Sequence, residues 1–302
     1  MINLKLDGIE VVTSGLTQRA YDAAYCGLLL SITTDNFDEQ LKELRKEGTH
    51  GKYSGIEVTG IDDLSFLNEF PNLLYLEVFN DNKFDTSYVE QLQNLRGLHW
   101  DAPKSSLNFS NFPWLEVFVG DWNKNNQNIS SCRRLHQLRI WKYKPSCLNL
   151  QELTGLKRLE YLELVQTNIT SLKGIEELTD LRYLDIAYSP KLNDISSLSS
   201  ISSSLREIEF ESLKGLKDYH LFSGLILLRK LNLVKCGDIE DLNWINNLKE
   251  LEQFIFNDSK VISNDLSPLL NLPKLQIVYT NNKKSYNYKC EDISTILDGR
   301  EL

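Results

Sequence analysis

The sequence lacks every short signature that would assign it a reaction. It has no Gly-x-Gly-x-x-Gly, no phosphate-binding loop and no Gly-x-Ser-x-Gly, so neither a nucleotide cradle nor a nucleophile elbow can be built from contiguous residues. Cysteine is sparse. Cys26, Cys132, Cys147, Cys236 and Cys290 are odd in number, far apart and free of any Cys-x-x-Cys pair. That usage fits free thiols in a reducing cytosol and offers neither a disulfide framework nor a zinc site. The four histidines, His50, His99, His136 and His220, show no metal-ligand spacing. No metal and no cofactor is therefore expected, and catalysis is not.

Positive charge is also short. Thirty-three Lys and Arg stand against 42 Asp and Glu, a formal net charge of −9. A surface of that sign repels phosphate backbones and anionic headgroups, which argues against nucleic-acid and membrane-surface partners. Long apolar runs are absent. The most apolar stretch, "CGLLLSI", falls far short of the ~20 residues needed to cross a bilayer. The first residues, "MINLKLDGIEVVTSG", carry no basic region ahead of an apolar core, so no secretory leader is read and a cytoplasmic location is expected. The Asn-x-Ser/Thr triplets at Asn108, Asn128, Asn168 and Asn257 are then chance matches in an Asn- and Ser-rich chain.

What is present is a period. In "LKRLEYLELVQTNITSLKGIEELTDLRYLDI", aliphatic residues step mostly by three, with pairs of twos. An amphipathic helix would step three and four, and a strand would step two throughout. The pattern Leu-x-x-Leu-x-Leu starts at Tyr53, Leu73, Leu95, Leu115, Leu135, Leu159, Leu181, Leu205, Leu228, Leu251 and Leu275, at intervals of 20 to 24 residues. Boxes such as "FPNL", "LKRL" and "LPKL" introduce most copies, with Pro71, Pro113 and Pro273 at the second position. Proline is tolerated there because the amide has no ladder partner just before a short strand. Eleven copies at a narrow period define a stacked array, in which no single copy is stable alone.

These residues resemble the leucine-rich repeat family, and within it the 22-residue bacterial and SDS22-like class. The copy at Leu159, Leu162, Leu164, Thr167, Ile169, Leu172, Ile175 and Leu178 shows it best, and the copy from Leu228 places Cys236 where the family prefers Asn or Cys. The resemblance implies an α/β solenoid of about eleven repeats, with a parallel sheet on the concave face and turns, 3₁₀ segments and short helices on the convex face. It also implies that Thr167, Ser189 and Cys236 bond backbone groups in the turn after each strand. True helix is expected where the period reaches 24. The expected organisation is an N-terminal cap over residues 1–50, repeats over 51–282 and a C-terminal cap over 283–302. In the first cap "INLKL" and "IEVV" read as strands. "DNFDEQLKELRKEG" reads as a helix with Phe37, Leu41 and Leu44 on one face and Gly48 past its end. The last segment reads as a short polar closure.

With the leucines committed to packing, function falls to the outward strand positions. The central outward column reads Glu57, Glu77, His99, Val119, Arg139, Glu163, Asp185, Glu209, Asn232, Ile255, Tyr279. Glu163, Asp185, Glu207, Glu209 and Glu211 gather five carboxylates on three adjacent repeats, close enough at ~4.8 Å strand spacing to raise a common negative field. Beside them stand Tyr161, Tyr183, Tyr188 and Trp141, and further back Tyr75, Phe79 and Trp122. Acids with aromatic anchors suit a protein with a basic cleft. Arg182 and Arg206 are positioned to neutralise part of the acid, and solvated surface is the competing reading. The register at 115–120 is open, because Gly120 falls on a core position.

Of the proteins that resemble these repeats, surface internalins carry a leader and a wall anchor, and ubiquitin-ligase effectors a large catalytic domain. Neither is read here. The expected function is a non-enzymatic binding module: a bacterial cytosolic immunity protein or antitoxin, monomeric before it binds, that neutralises a toxin domain. A cytosolic scaffold or regulatory subunit is the alternative.

Overall fold

The computed structural model describes residues 3–6, 9–12, 28–48 and 53–299. Strands β1 (Asn3–Leu6) and β2 (Ile9–Val12) pair antiparallel, where the sequence reads two short strands. The chain divides into two compact units, Met1–Trp141 with Arg158–Glu160, and Lys142–Lys157 with Tyr161–Leu302.

The first unit carries six parallel strands in chain order: β3 (Leu28–Thr33), β4 (Tyr53–Thr59), β5 (Tyr75–Phe79), β6 (Gly97–Asp101), β7 (Val117–Asp121) and β8 (Gln137–Trp141). The second carries six more: β9 (Tyr161–Val165), β10 (Tyr183–Ala187), β11 (Glu207–Glu211), β12 (Lys230–Val234), β13 (Gln253–Ile255) and β14 (Ile277–Tyr279). Eleven of these are the strands that the repeat spacing predicts. The twelfth, β3, lies in the segment read as a cap and pairs in parallel with β4, Leu30 opposite Ile56 and Ser31 opposite Glu57.

The period-2 alternation works as the pattern demands. Leu162, Leu164, Leu184, Ile186, Ile208, Phe210, Leu231 and Leu233 are all buried. The following threes, Ile169, Leu172, Ile175 and Leu178, are buried too, and Ile175–Glu177 forms a 3₁₀ turn, whose three residues per turn bring such positions to one side. Where the period is longest the convex side stays 3₁₀, as at Ser196–Ile201 and Ser267–Asn271. The one α-helical turn among the repeats, α2 (Ser87–Glu90), falls in a 22-residue copy. The expectation of helix at period 24 is thus corrected, because Pro268 and the run Ser196–Ser200 supply turn chemistry, not helix propensity.

The register left open at 115–120 closes on the unshifted reading. Phe118 pairs with Leu98 and Gly120 with Trp100. A Cβ on Gly120 would stand 2.1 Å from the Trp100 carbonyl oxygen, so only glycine admits this close approach. Trp100 itself is fully buried and donates from its indole to the Ser105 carbonyl at 3.2 Å.

Flanking elements are helical. In α1 (Phe37–Glu47), Leu41 and Leu44 are buried, and Gly48 ends the helix at φ 70° by donating to the Leu44 carbonyl. At the far end α3 (Cys290–Asp298) buries Cys290, Ile293 and Leu297. The sequence reading had only a polar closure here, and the i, i+3, i+7 spacing of those three residues is the signal it passed over.

The turns after β4 and after β8 to β13 repeat one conformation. Lys142, Gln166, Tyr188, Ser212, Lys235 and Asp258 all have φ between 52° and 61°, and Gly60 occupies the same place at 70°. The amide of Gln166 donates to the Ala187 carbonyl, that of Tyr188 to Glu211, and that of Ser212 to Val234. Just beyond, side chains satisfy buried backbone. Ser189 Oγ donates to the Ala187 carbonyl and accepts from the Thr167 amide. Cys236 Sγ reaches the Phe210 carbonyl, and Ser259 Oγ accepts from the Cys236 amide.

Candidate functional site

The carboxylate column forms as the spacing predicts. Glu163 pairs with Asp185, Asp185 with Glu209, and Glu207 and Glu211 flank Glu209 on β11. The five acids are unequal in exposure. Asp185, Glu209 and Glu211 are half-buried, whereas Glu163 and Glu207 are 7% and 4% exposed. The expectation that Glu163 faces open water is therefore corrected. It accepts a 2.9 Å hydrogen bond from the Tyr161 hydroxyl. Burial pushes the Glu207 carboxyl above its ordinary range, an effect that Lys230 opposes.

The cation that answers this cluster is Lys230. Its Nζ stands 2.5 Å from Glu209 Oε1 and 3.9 Å from Glu207 Oε2. Arg206, which the sequence reading put forward, turns its guanidinium onto the Ser203 and Leu205 carbonyls instead. Lys230 occupies the column of Glu207 one repeat on, so its placement was legible in the spacing. Five carboxylates gathered on three neighbouring strands outweigh the charge of Lys230.

The aromatic residues divide by reach. Tyr161 and Tyr183 stack with centroids 4.3 Å apart and planes at 8°, and are 2% and 3% exposed. Burial raises the Tyr183 hydroxyl far above the ordinary tyrosine range, with Tyr161, Asp185 and Glu209 adding to it, so it stays protonated. Tyr188 is different: 51% exposed, it hydrogen-bonds Glu211 through its hydroxyl, which raises its own pKa.

The remaining candidates belong to the first unit. Trp141 is half-buried with the Arg139 guanidinium 5.7 Å from its ring centre. Tyr75 is 7% exposed, and Phe79 meets His99 edge-on at 4.8 Å. His99 Nδ1 lies 3.8 Å from Glu77 Oε2. Trp122, grouped with these by the sequence, packs inside instead, stacked on Phe109 with planes at 12°. Its position directly after a strand turns it toward the 3₁₀ side, so it is a packing residue. Cys132 and Cys236 are buried and their thiols are pushed up to about 12, which makes them poor nucleophiles. Cys26 and His50 lie outside the described residues. Among the described residues no group of three or more His, Cys, Asp or Glu is placed to hold a metal ion, and no helix is long and apolar enough to cross a membrane.

This is the leucine-rich repeat fold, built from strand, left-handed turn and 3₁₀ segment. A family model for leucine-rich repeats, covering two copies, matches residues 157–200. Three solved structures are similar in fold. A leucine-rich repeat protein of Leptospira interrogans is 16% identical, with a TM-score of 0.58 over 83% of this chain and 72% of that one. The leucine-rich repeat domain of the type III effector XopL is 24% identical, at 0.55 over 71% and 79%. An internalin of Listeria monocytogenes is 18% identical, at 0.53 over 76% and 74%. No curated protein matches the sequence. A leucine-rich repeat fold suggests a module for protein–protein interaction, and leucine-rich repeat proteins are generally not enzymes.

Proposed function

We propose that the chain is a protein-binding module whose acidic strand face takes a basic partner, and that this partner is a toxin domain held inactive by an immunity protein. The observation that supports the reading is the parallel ladder carrying Asp185, Glu209 and Glu211 at half exposure over the more deeply set Glu163 and Glu207. Toxins acting on nucleic acids or on phosphate-bearing cofactors need basic clefts, and a carboxylate wall can fill such a cleft as a mimic. The cytosolic, non-enzymatic and monomeric character expected from the sequence is part of the same proposal.

The test is calorimetry of the purified chain against the protein recovered with it from its native host. A tight one-to-one complex that weakens as salt rises is expected. Reversing Asp185, Glu209 and Glu211 together to Lys should abolish it while circular dichroism at the assay temperature shows the variant still folded, even though loss of the Glu209–Lys230 pair lowers its melting temperature. Glu163 is left out of the triple because the Tyr161 hydrogen bond ties it to the fold. Undiminished affinity in the triple variant ends this reading. Several weaker partners in place of one would mark a scaffold.

A further inference from the structure

We infer that the binding footprint continues from the acidic cluster onto an apolar edge formed by Ile255, Ile277 and Tyr279, and that its partner is a protein segment with basic side chains beside apolar ones. This rests on the proposed reading of the acidic face as a protein-binding site.

The anchors chosen from the sequence, Tyr161 and Tyr183, are spent on each other, stacked and almost fully buried. A hot-spot side chain has to be reachable before the partner arrives. On the same strand face, four repeats beyond Tyr183, the reverse holds. Ile277 is 50% exposed and Tyr279 58%.

Their direction is set by the pleat. Val278 between them is 5% exposed and Thr280 after them 4%, so Ile277 and Tyr279 alternate onto the outer face. The register then carries that face back to the acids. Tyr279 pairs with Ile255, Ile255 with Asn232, and Asn232 with Glu209. Ile277 reaches Glu207 in the same way through Gln253 and Lys230. Three strand spacings put Tyr279 about 14 Å from Glu209.

Between the two ends Lys230 is engaged with Glu209, and the other outward side chains of β12 and β13 are neutral. Gln253 donates to Asn232 Oδ1 at 2.9 Å, and Ile255 continues the apolar end. The face therefore offers carboxylates at one end and an exposed aliphatic and phenol pair at the other. Charge complementarity fixes the partner's near side as basic, and the exposed apolar pair fixes its far side as apolar. In an extended segment, at about 3.3 Å per residue, the two kinds of side chain would stand roughly three to five residues apart.

The test uses random 12-residue peptides displayed on phage and selected on the intact chain, followed by fluorescence anisotropy of a selected peptide. Selected peptides should pair Lys or Arg with a large apolar residue at that separation. Ile277→Ser with Tyr279→Ser should weaken binding about tenfold or more, as should Glu209→Gln with Glu211→Gln, each with an unchanged circular dichroism spectrum. If the serine pair leaves affinity intact while the glutamine pair abolishes it, this inference fails and the acidic-face reading stands. If both pairs leave it intact, both fail. Selection of no such peptide, or of peptides without basic residues, also overturns the inference. So does sedimentation showing that the wild-type chain is a dimer which the serine pair makes monomeric, since a second copy would then cover the edge.

Discussion

Lys230 Nζ sits 2.5 Å from Glu209 Oε1, bridging from one strand to its neighbour, and it is 14% exposed at the side chain. The pair stands at the water boundary, where neither full screening nor full desolvation applies. Replacing Lys230 by Met keeps the aliphatic stem and removes the charge. Stability should fall by about 1–2 kcal/mol in a urea titration, because the attraction of Lys230 for Glu209 and Glu207 is lost while the two carboxylates still repel each other. Association with a basic partner should quicken at the same time.

Glu207 makes stability depend on pH. Burial raises its carboxyl above the ordinary 4.5, so the folded state holds a proton that the unfolded state releases. Stability from this group is fully present below 4.5 and is lost as pH rises through the higher folded value. Glu207→Gln should therefore be more stable than the parent at neutral pH, with the gap closing toward pH 4.5 in thermal melts. A gap that widens on acidification would contradict the direction of the shift.

The strand leucines and the convex rim should respond very differently to truncation. Leu184 is fully buried, so Leu184→Ala should cost about 2–5 kcal/mol. Lys173 is exposed on the turn side, and Lys173→Ala should stay within about 0.5 kcal/mol. Guanidinium denaturation of both variants checks the register directly.

Left-handed turns held by ordinary residues are sites of stored strain. Lys235 sits at φ 55° with an exposed side chain, and its amide donates to the Asn257 carbonyl. Glycine adopts that conformation without the Cβ clash, so Lys235→Gly should gain about 0.5–1 kcal/mol despite the freer unfolded chain. A loss on denaturant titration would show that the lysine stem contributes packing there.

The strands and their register were legible because each copy commits leucines at fixed offsets, and a slip of one residue would turn the whole set to the wrong face. Strand β3 escaped for the same reason in reverse: Leu30 and Ile32 match the last two core positions, but Gly27 stands where the leading leucine belongs. The stacking of Tyr161 on Tyr183 was implicit in their shared column. Reading the two as separate anchors overlooked what ~4.8 Å strand spacing does to adjacent rings. Tyr279 was in the column as well, but its exposure follows from its place on the short last strand, which has a neighbour on one side only, and composition does not reveal that.

The left-handed turn has a consequence for how such a chain changes over time. In the second unit the turns after β9, β10, β11 and β12 share one left-handed conformation and one amide-to-carbonyl bond to the next strand, whatever residue supplies it. Duplicating or excising one of these copies thus creates no new kind of junction, only one more or one fewer of a kind already present. The reach of the face becomes adjustable in steps of a single strand, and selection can resize it for a new partner without having to invent new backbone chemistry.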